Sequence, residues 1–135
     1  MAARRQPCIA LIAHDSKKAD LLAFATFNRS SLERCHLVAT RSTGELLRHR
    51  VGLQVECLES GPLGGDVQIA ARVVEGEVDA VIFIVDPLDS HPHDPDIRTL
   101  LRICNLRDVP LATNIASADM LISSPLLREQ VGQAV

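Results

Sequence analysis

"DAVIFIV" (79–85) running straight into "DPLDSHPHDPD" (86–96) decides how this chain is read. After Asp79 the first run is apolar without alternation. Both faces of such a strand must be covered, which is the pattern of a parallel sheet held between two helical layers. The second run packs Asp86, Asp89, His91, His93, Asp94 and Asp96 among three prolines. Solubility alone does not call for that much acid–base capacity held so stiffly.

The same transition recurs outward in both directions. "CIALIA" (8–13), "HLVAT" (36–40), "LQVECL" (53–58) and "PLATNI" (110–115) read as further strands, and 16–28, 43–50, 66–76, 95–108 and 117–128 as helices. In 66–76, Ile69 and Val73 stand one turn apart and Gly76 offers a stop. Asp94 is placed to cap 95–108, with Pro95 at its first position. The alternation βαβαβαβαβα predicts an α/β fold, a three-layer α/β/α sandwich around a doubly wound, five-stranded parallel sheet. A single domain over 1–135 is expected, with 1–7 and 129–135 as flexible tails.

Composition narrows the function classes. The chain has 135 residues, 47% hydrophobic and 23% charged, with a net charge of −3. This composition suits a soluble globular protein long enough to bury its own core. Phe24, Phe27 and Phe83 are the only aromatics, so no basic face interleaved with stacking residues exists and nucleic acid is not an expected partner. Neither a signal peptide nor a membrane span is expected. Cys8, Cys35, Cys57 and Cys104 form no CxxC pair and read as reduced residues of a cytoplasmic protein.

In open α/β sheets, ligands bind beyond the carboxyl ends of the strands. Strand one ends in His14-Asp15 with Lys18 beyond, strand two in "TRSTG" (40–44), and strand three in "SGPLGGD" (60–66). Strand four ends in the 86–96 stretch and strand five in Thr113-Asn114. Five polar endings on one edge describe a single site. Ser42 or Thr43 can be no more than a helix N-cap, yet a helix N-terminus beside Lys18 also makes a phosphate seat. "SGPLGGD" is not a dinucleotide fingerprint, since its glycines follow the third strand at 61, 64 and 65. It reads either as a tight loop capped by Asp66 or as a close backbone approach to a ligand.

His91-x-His93 with Asp94 or Asp96 has plausible metal ligands. The spacing is generic, however, Pro92 and Pro95 restrict convergence, and no cysteine or second histidine pair completes a set. Asp94 reads as a cap, Asp86 as a holder of loop backbone, and Asp89 and His91 as solvated. His93 and Asp96 are left with a chemical task.

"AHDSKK", "TRSTG", "SGPLGGD", "DPL", "PHDPD", "LLR" and "PLATNIASAD" occur in an order and spacing that resemble the methylglyoxal synthase family over roughly residues 8–125. The resemblance implies a carbon–oxygen lyase acting on phosphates. It would convert dihydroxyacetone phosphate to methylglyoxal and inorganic phosphate without metal or organic cofactor, as a homohexamer. It implies Asp66 as the proton-abstracting carboxylate, His93 as the group stabilising the enediolate, and Asp96 as an aid to proton movement. His14, Lys18, Thr40, Ser42, Thr43, Ser60 and Gly61 would hold the substrate and its phosphate, with Arg41 contributing through its backbone. Inorganic phosphate, the product, is also a possible inhibitor. Many members read TGTTG where this chain has "TRSTG", so Arg41 stands where they carry glycine. The rival reading is a non-catalytic regulatory module of the same fold binding a phosphorylated effector. It leaves Asp66 and Asp96 unexplained, because carboxylates beside a phosphate repel it.

Overall fold

The central strands form because their sequences leave no polar residue to face water. The computed structural model describes residues 6–89 and 94–127. In it β1 (Cys8–Ala13) and β4 (Ala80–Ile84) are buried at every position. They pair in parallel, from Ile9 opposite Ala80 to Ala13 opposite Ile84. Asp79 fixes the register where β4 begins: its carboxylate accepts the Cys8 N–H at 2.8 Å, and its own N–H donates to the Cys8 carbonyl at 2.8 Å.

The remaining strands are β2 (His36–Ala39), β3 (Glu56–Cys57) and β5 (Leu111–Ala112), and the sheet order is β3-β2-β1-β4-β5, all parallel. The helices are α1 (Lys18–Phe27), α2 (Arg29–Leu32), α3 (Arg41–Leu46), α4 (Gly65–Val74), α5 (Asp94–Leu106) and α6 (Ile115–Ser123). Strand alternation sends Ile9, Leu11, Ile82 and Ile84 to one face, where Leu21, Phe24, Leu32, Ala118 and Ile122 from α1, α2 and α6 cover them. Ala10, Ile12, Val81 and Phe83 take the other face, under Ile69 and Val73 of α4 and Ile97, Leu100 and Cys104 of α5. The α/β/α sandwich is therefore as expected. Each large core side chain contributes about 1.5–3 kcal/mol by leaving water, and truncating one such as Leu11 to alanine costs about 2–5 kcal/mol.

Several boundaries differ from the sequence reading. Only Glu56–Cys57 of 53–58 pairs as strand: Leu53 and Val55 are buried, but β3 lies at the sheet edge and meets β2 over two residue pairs. β5 is equally short. α6 begins at Ile115 rather than 117, because the Asn114 side chain accepts the Ser117 N–H at 2.9 Å and caps the helix there. α3 begins at Arg41, not 43, with Thr40 at the cap position and no side-chain cap bond. Ser42 and Thr43 thus sit inside the first turn and are not its cap. The run continues as a π-turn over Leu47–Val51 and closes at Gly52, whose φ of 77° is left-handed. Gly76, with φ of 76°, ends α4 as expected. α5 begins at Asp94 itself. Of the segments expected to be tails, 1–5 and 129–135 lie outside the described residues. Pro7 is engaged: its carbonyl accepts the His36 N–H at 2.8 Å. Among the described residues no helix is long and apolar enough to cross a membrane.

Candidate active site

Strand order reverses between β1 and β4, since β1 continues to β2 and β3 before α4 returns the chain to β4. A crevice at such a switch point is where open sheets take ligands. His14, the first residue after β1, bridges it. Its backbone N–H donates to the Ile84 carbonyl at 3.1 Å, and its Nδ1 accepts the Asp86 N–H at 2.8 Å. The ring is 6% exposed and stands edge-on to Phe83, with centroids 5.1 Å apart. Because Nδ1 is held as an acceptor, the neutral ring carries its proton on Nε2. A second proton on Nδ1 would cost that bond.

Asp86 holds the turn from its other end. Its carboxylate accepts from the Ser16 hydroxyl at 2.6 Å and from the Leu88 N–H at 2.9 Å. These two bonds hold its carboxyl below the usual carboxylate range. The residue thus serves as the backbone holder that its position suggested.

A cavity of about 190 Å³ opens beside His14. His14, Asp15 and Lys18 line it from the end of β1, Thr40 and Ser42 from the end of β2, and Ser60, Gly61, Pro62 and Asp66 from the loop after β3. Drug-sized ligands occupy roughly 300–1,000 Å³, so this volume suits a molecule of a few carbons. Lys18 Nζ is anchored by the Ala13 carbonyl at 3.1 Å and the Asp15 carboxylate at 2.5 Å, with its side chain 15% exposed. The anchored ammonium places a positive charge at the rim.

Asp66 is wholly buried in the first turn of α4. The approach of that turn to the β2 side depends on Gly65. A Cβ there would stand 2.1 Å from the Glu59 carbonyl oxygen and 2.9 Å from Thr40 Cγ2. Gly64, with φ of 101°, makes the left-handed bend into the helix. The close approach that Gly65 permits is therefore of the chain to its own Glu59 and Thr40.

The other expected site residues fall as follows. Thr43 is buried and does not line this cavity; it borders a separate small gap with Lys18, Leu21 and Leu47, and its hydroxyl has no hydrogen-bond partner among the described residues. Arg41 turns away from the cavity. Its guanidinium pairs with Glu59 at 3.0 Å, and its backbone N–H reaches the Glu59 carbonyl at 3.3 Å. Asp96 stands half-buried in the first turn of α5 and does not line this cavity. His93, like His91, lies outside the described residues. Thr113 and Asn114 do not reach the cavity either: Asn114 is engaged as the α6 cap and both are exposed. Asp15, named at the end of strand one, and Pro62, within "SGPLGGD", line the cavity as well; Glu59 and Gln68, joined by a hydrogen bond of 2.8 Å, gave no sequence signal. Among the described residues no group of three or more His, Cys, Asp or Glu is arranged to hold a metal. None of the four cysteines forms a disulfide.

The chain is similar to known proteins over most of its length. The MGS-like domain profile matches residues 20–113. A methylglyoxal synthase of Photorhabdus laumondii is 50% identical over 91% of this chain and 81% of its own length. One of Ralstonia nicotianae is 53% identical over 84% of each chain. The crystal structure of methylglyoxal synthase from Elizabethkingia anophelis superposes with a TM-score of 0.86 at 38% identity, covering 91% of this chain and 81% of that one. With a domain match over most of its length and relatives at this identity, the chain belongs to the methylglyoxal synthase family.

Proposed function

We propose that this chain performs the reaction for which its relatives are named: elimination of phosphate from dihydroxyacetone phosphate to give methylglyoxal. The observation that carries the reading is the placement of a fully buried carboxylate, Asp66, on the same small cavity as Lys18, Thr40, Ser42, Ser60 and Gly61. A site built only to bind phosphate gains nothing from a carboxylate there, whereas a proton-abstracting site requires one.

In this reading Asp66 takes a proton from the hydroxymethyl carbon while a donor stabilises the negative charge growing on the carbonyl oxygen. His93 is assigned that electrophilic role in neutral form, and Asp96 assists the following proton movements. The C–H electron pair becomes the enediolate double bond. Its collapse breaks the C–O bond to phosphate on the neighbouring carbon, and the resulting enol tautomerises to methylglyoxal. Lys18 and the N–H groups at the start of α3 stabilise the departing phosphate, with Thr40, Ser42, Thr43, Ser60 and Gly61 as its seat and His14 against the substrate body. The reading extends to one domain acting in a cytoplasmic homohexamer, with inorganic phosphate as an inhibitor.

Purified protein given dihydroxyacetone phosphate, with no metal added, is expected to release methylglyoxal and phosphate in equal amounts. Asp66→Asn keeps the side-chain shape and removes the base, so kcat is expected to fall roughly 10²–10⁴-fold while inorganic phosphate still binds. Absence of product from the wild type, or near-normal turnover by Asp66→Asn, overturns the reading. Binding of phosphate without turnover favours the regulatory module.

A further inference from the structure

Glu59 does not line the cavity, yet it makes contacts in three directions. Its backbone N–H donates to Gln68 Oε1 of α4 at 2.8 Å. Its carbonyl accepts the Arg41 N–H at 3.3 Å. Its carboxylate accepts the Arg41 guanidinium at 3.0 Å, and that pairing raises the pKa of the guanidinium further. The same carbonyl is what a Cβ at position 65 would strike. One residue is therefore held between the Thr40–Thr43 turn and the first turns of α4, directly before Ser60 and Gly61.

We propose that Glu59 is a positioning residue for the phosphate seat, and that Arg41 acts as its tether and not as a phosphate ligand. The structure supports this through direction: the guanidinium at position 41 is turned to Glu59 and is absent from the cavity lining. Glycine at position 41 could make only the backbone part of this link. Arginine adds a side-chain link that holds the Thr40–Thr43 turn against the exit of β3. The inference rests on the assignment of these two segments as the phosphate seat.

The test compares Arg41→Ala, Glu59→Gln and the double variant, reading binding of inorganic phosphate and, separately, KM and kcat for dihydroxyacetone phosphate. A tether predicts that each single variant weakens phosphate binding and raises KM by about two- to five-fold, the span an exposed ion pair supports. kcat should change by less than that, and the double variant should be no worse than either single one, since both lose one shared contact. A phosphate ligand restrained by Glu59 predicts opposite signs: Arg41→Ala weakens binding, whereas Glu59→Gln frees the guanidinium and tightens it. Opposite signs, additive losses, or losses confined to kcat overturn the proposal. Both side chains are about half-exposed, so the variants are expected to fold, and unchanged urea midpoints check this. Phosphate binding is read without turnover. A wild type that binds phosphate and makes no methylglyoxal therefore defeats the proposed reaction while the tether is still judged on binding alone. A wild type that binds no phosphate defeats the tether.

Discussion

β3 and β5 are both two-residue strands at opposite edges of the sheet, and both hand over to polar residues. β3 leads through Glu59, Ser60 and Gly61 to the buried Asp66, and that exit builds one wall of the cavity. β5 leads to Thr113 and Asn114, and that exit is structural. Thr113 gives its carbonyl to the Val85 N–H at 3.2 Å, and Asn114 gives its side-chain oxygen to the Ser117 N–H at 2.9 Å. At these two edges the difference lies in where the polar groups turn: Ser60, Gly61 and Asp66 line the cavity, whereas the Thr113 carbonyl and the Asn114 side chain hold neighbouring backbone. The loop after β3 turns its chain through Gly64 and Gly65, leaving side chains to face the cavity; the loop after β5 caps the next helix.

Substitution at Gly65 sharpens this contrast most. Gly65→Ala brings a Cβ to within 2.1 Å of the Glu59 carbonyl and 2.9 Å of Thr40 Cγ2, so backbone must move. The expected destabilisation is about 3 kcal/mol, read from urea unfolding. The turn carrying Asp66 shifts with it, and with Asp66 as the proposed base a displacement of ~1 Å can cost ~10²-fold in kcat/KM. An active, equally stable Gly65→Ala enzyme would mean that the wall after β3 is not built by close approach. Asn114→Ala is the matched change at the other edge. Loss of a cap costs about 1 kcal/mol, while kcat and KM should remain within about two-fold of wild type. A catalytic defect there comparable to that of Gly65→Ala would break the distinction between the two exits.

Legibility in the sequence followed the same division. β1 and β4 were readable because an unbroken apolar run at the centre of a sheet is buried and paired on both sides. β3 and β5 were overextended because burial and pairing part company at an edge: Leu53 and Val55 are buried without joining the ladder. Strand ends point to one edge of an open sheet and so to the segments that line the cavity, while the choice of Thr40, Ser42, Ser60, Gly61 and Asp66 within them follows from the family resemblance. The roles of Glu59 and Gln68 were not legible. Their bond closes a loop across nine residues, and nothing in either residue type announces it. The Arg41 side chain likewise finds its partner 18 residues away, which nothing at position 41 announces.

The smallest expected effect concerns how each edge strand is held to its helix. β3 offers Glu56, which grips Arg72 of α4 through two hydrogen bonds, at 2.9 and 2.5 Å, and also meets His36 Nε2 at 3.2 Å. β5, being Leu111-Ala112, has no charged side chain to offer. The Arg72 hydrogen bonds lower the Glu56 pKa from its ordinary 4.5. A carboxylate with a lowered folded-state pKa contributes stability that is fully present above 4.5 and is lost as pH falls through the lower folded value. The pair is partly exposed, with side-chain accessibilities of 29% for Arg72 and 39% for Glu56, so screening limits it to about 0.5 kcal/mol. Glu56→Gln should therefore be less stable than wild type by that amount at pH 7, and the gap should close as pH falls well below 4.5. Urea midpoints measured for both proteins along that pH series are the check. A gap that persists undiminished in acid would show that the Gln substitution disturbs packing at the β3 edge and that the ion pair contributes nothing to holding α4.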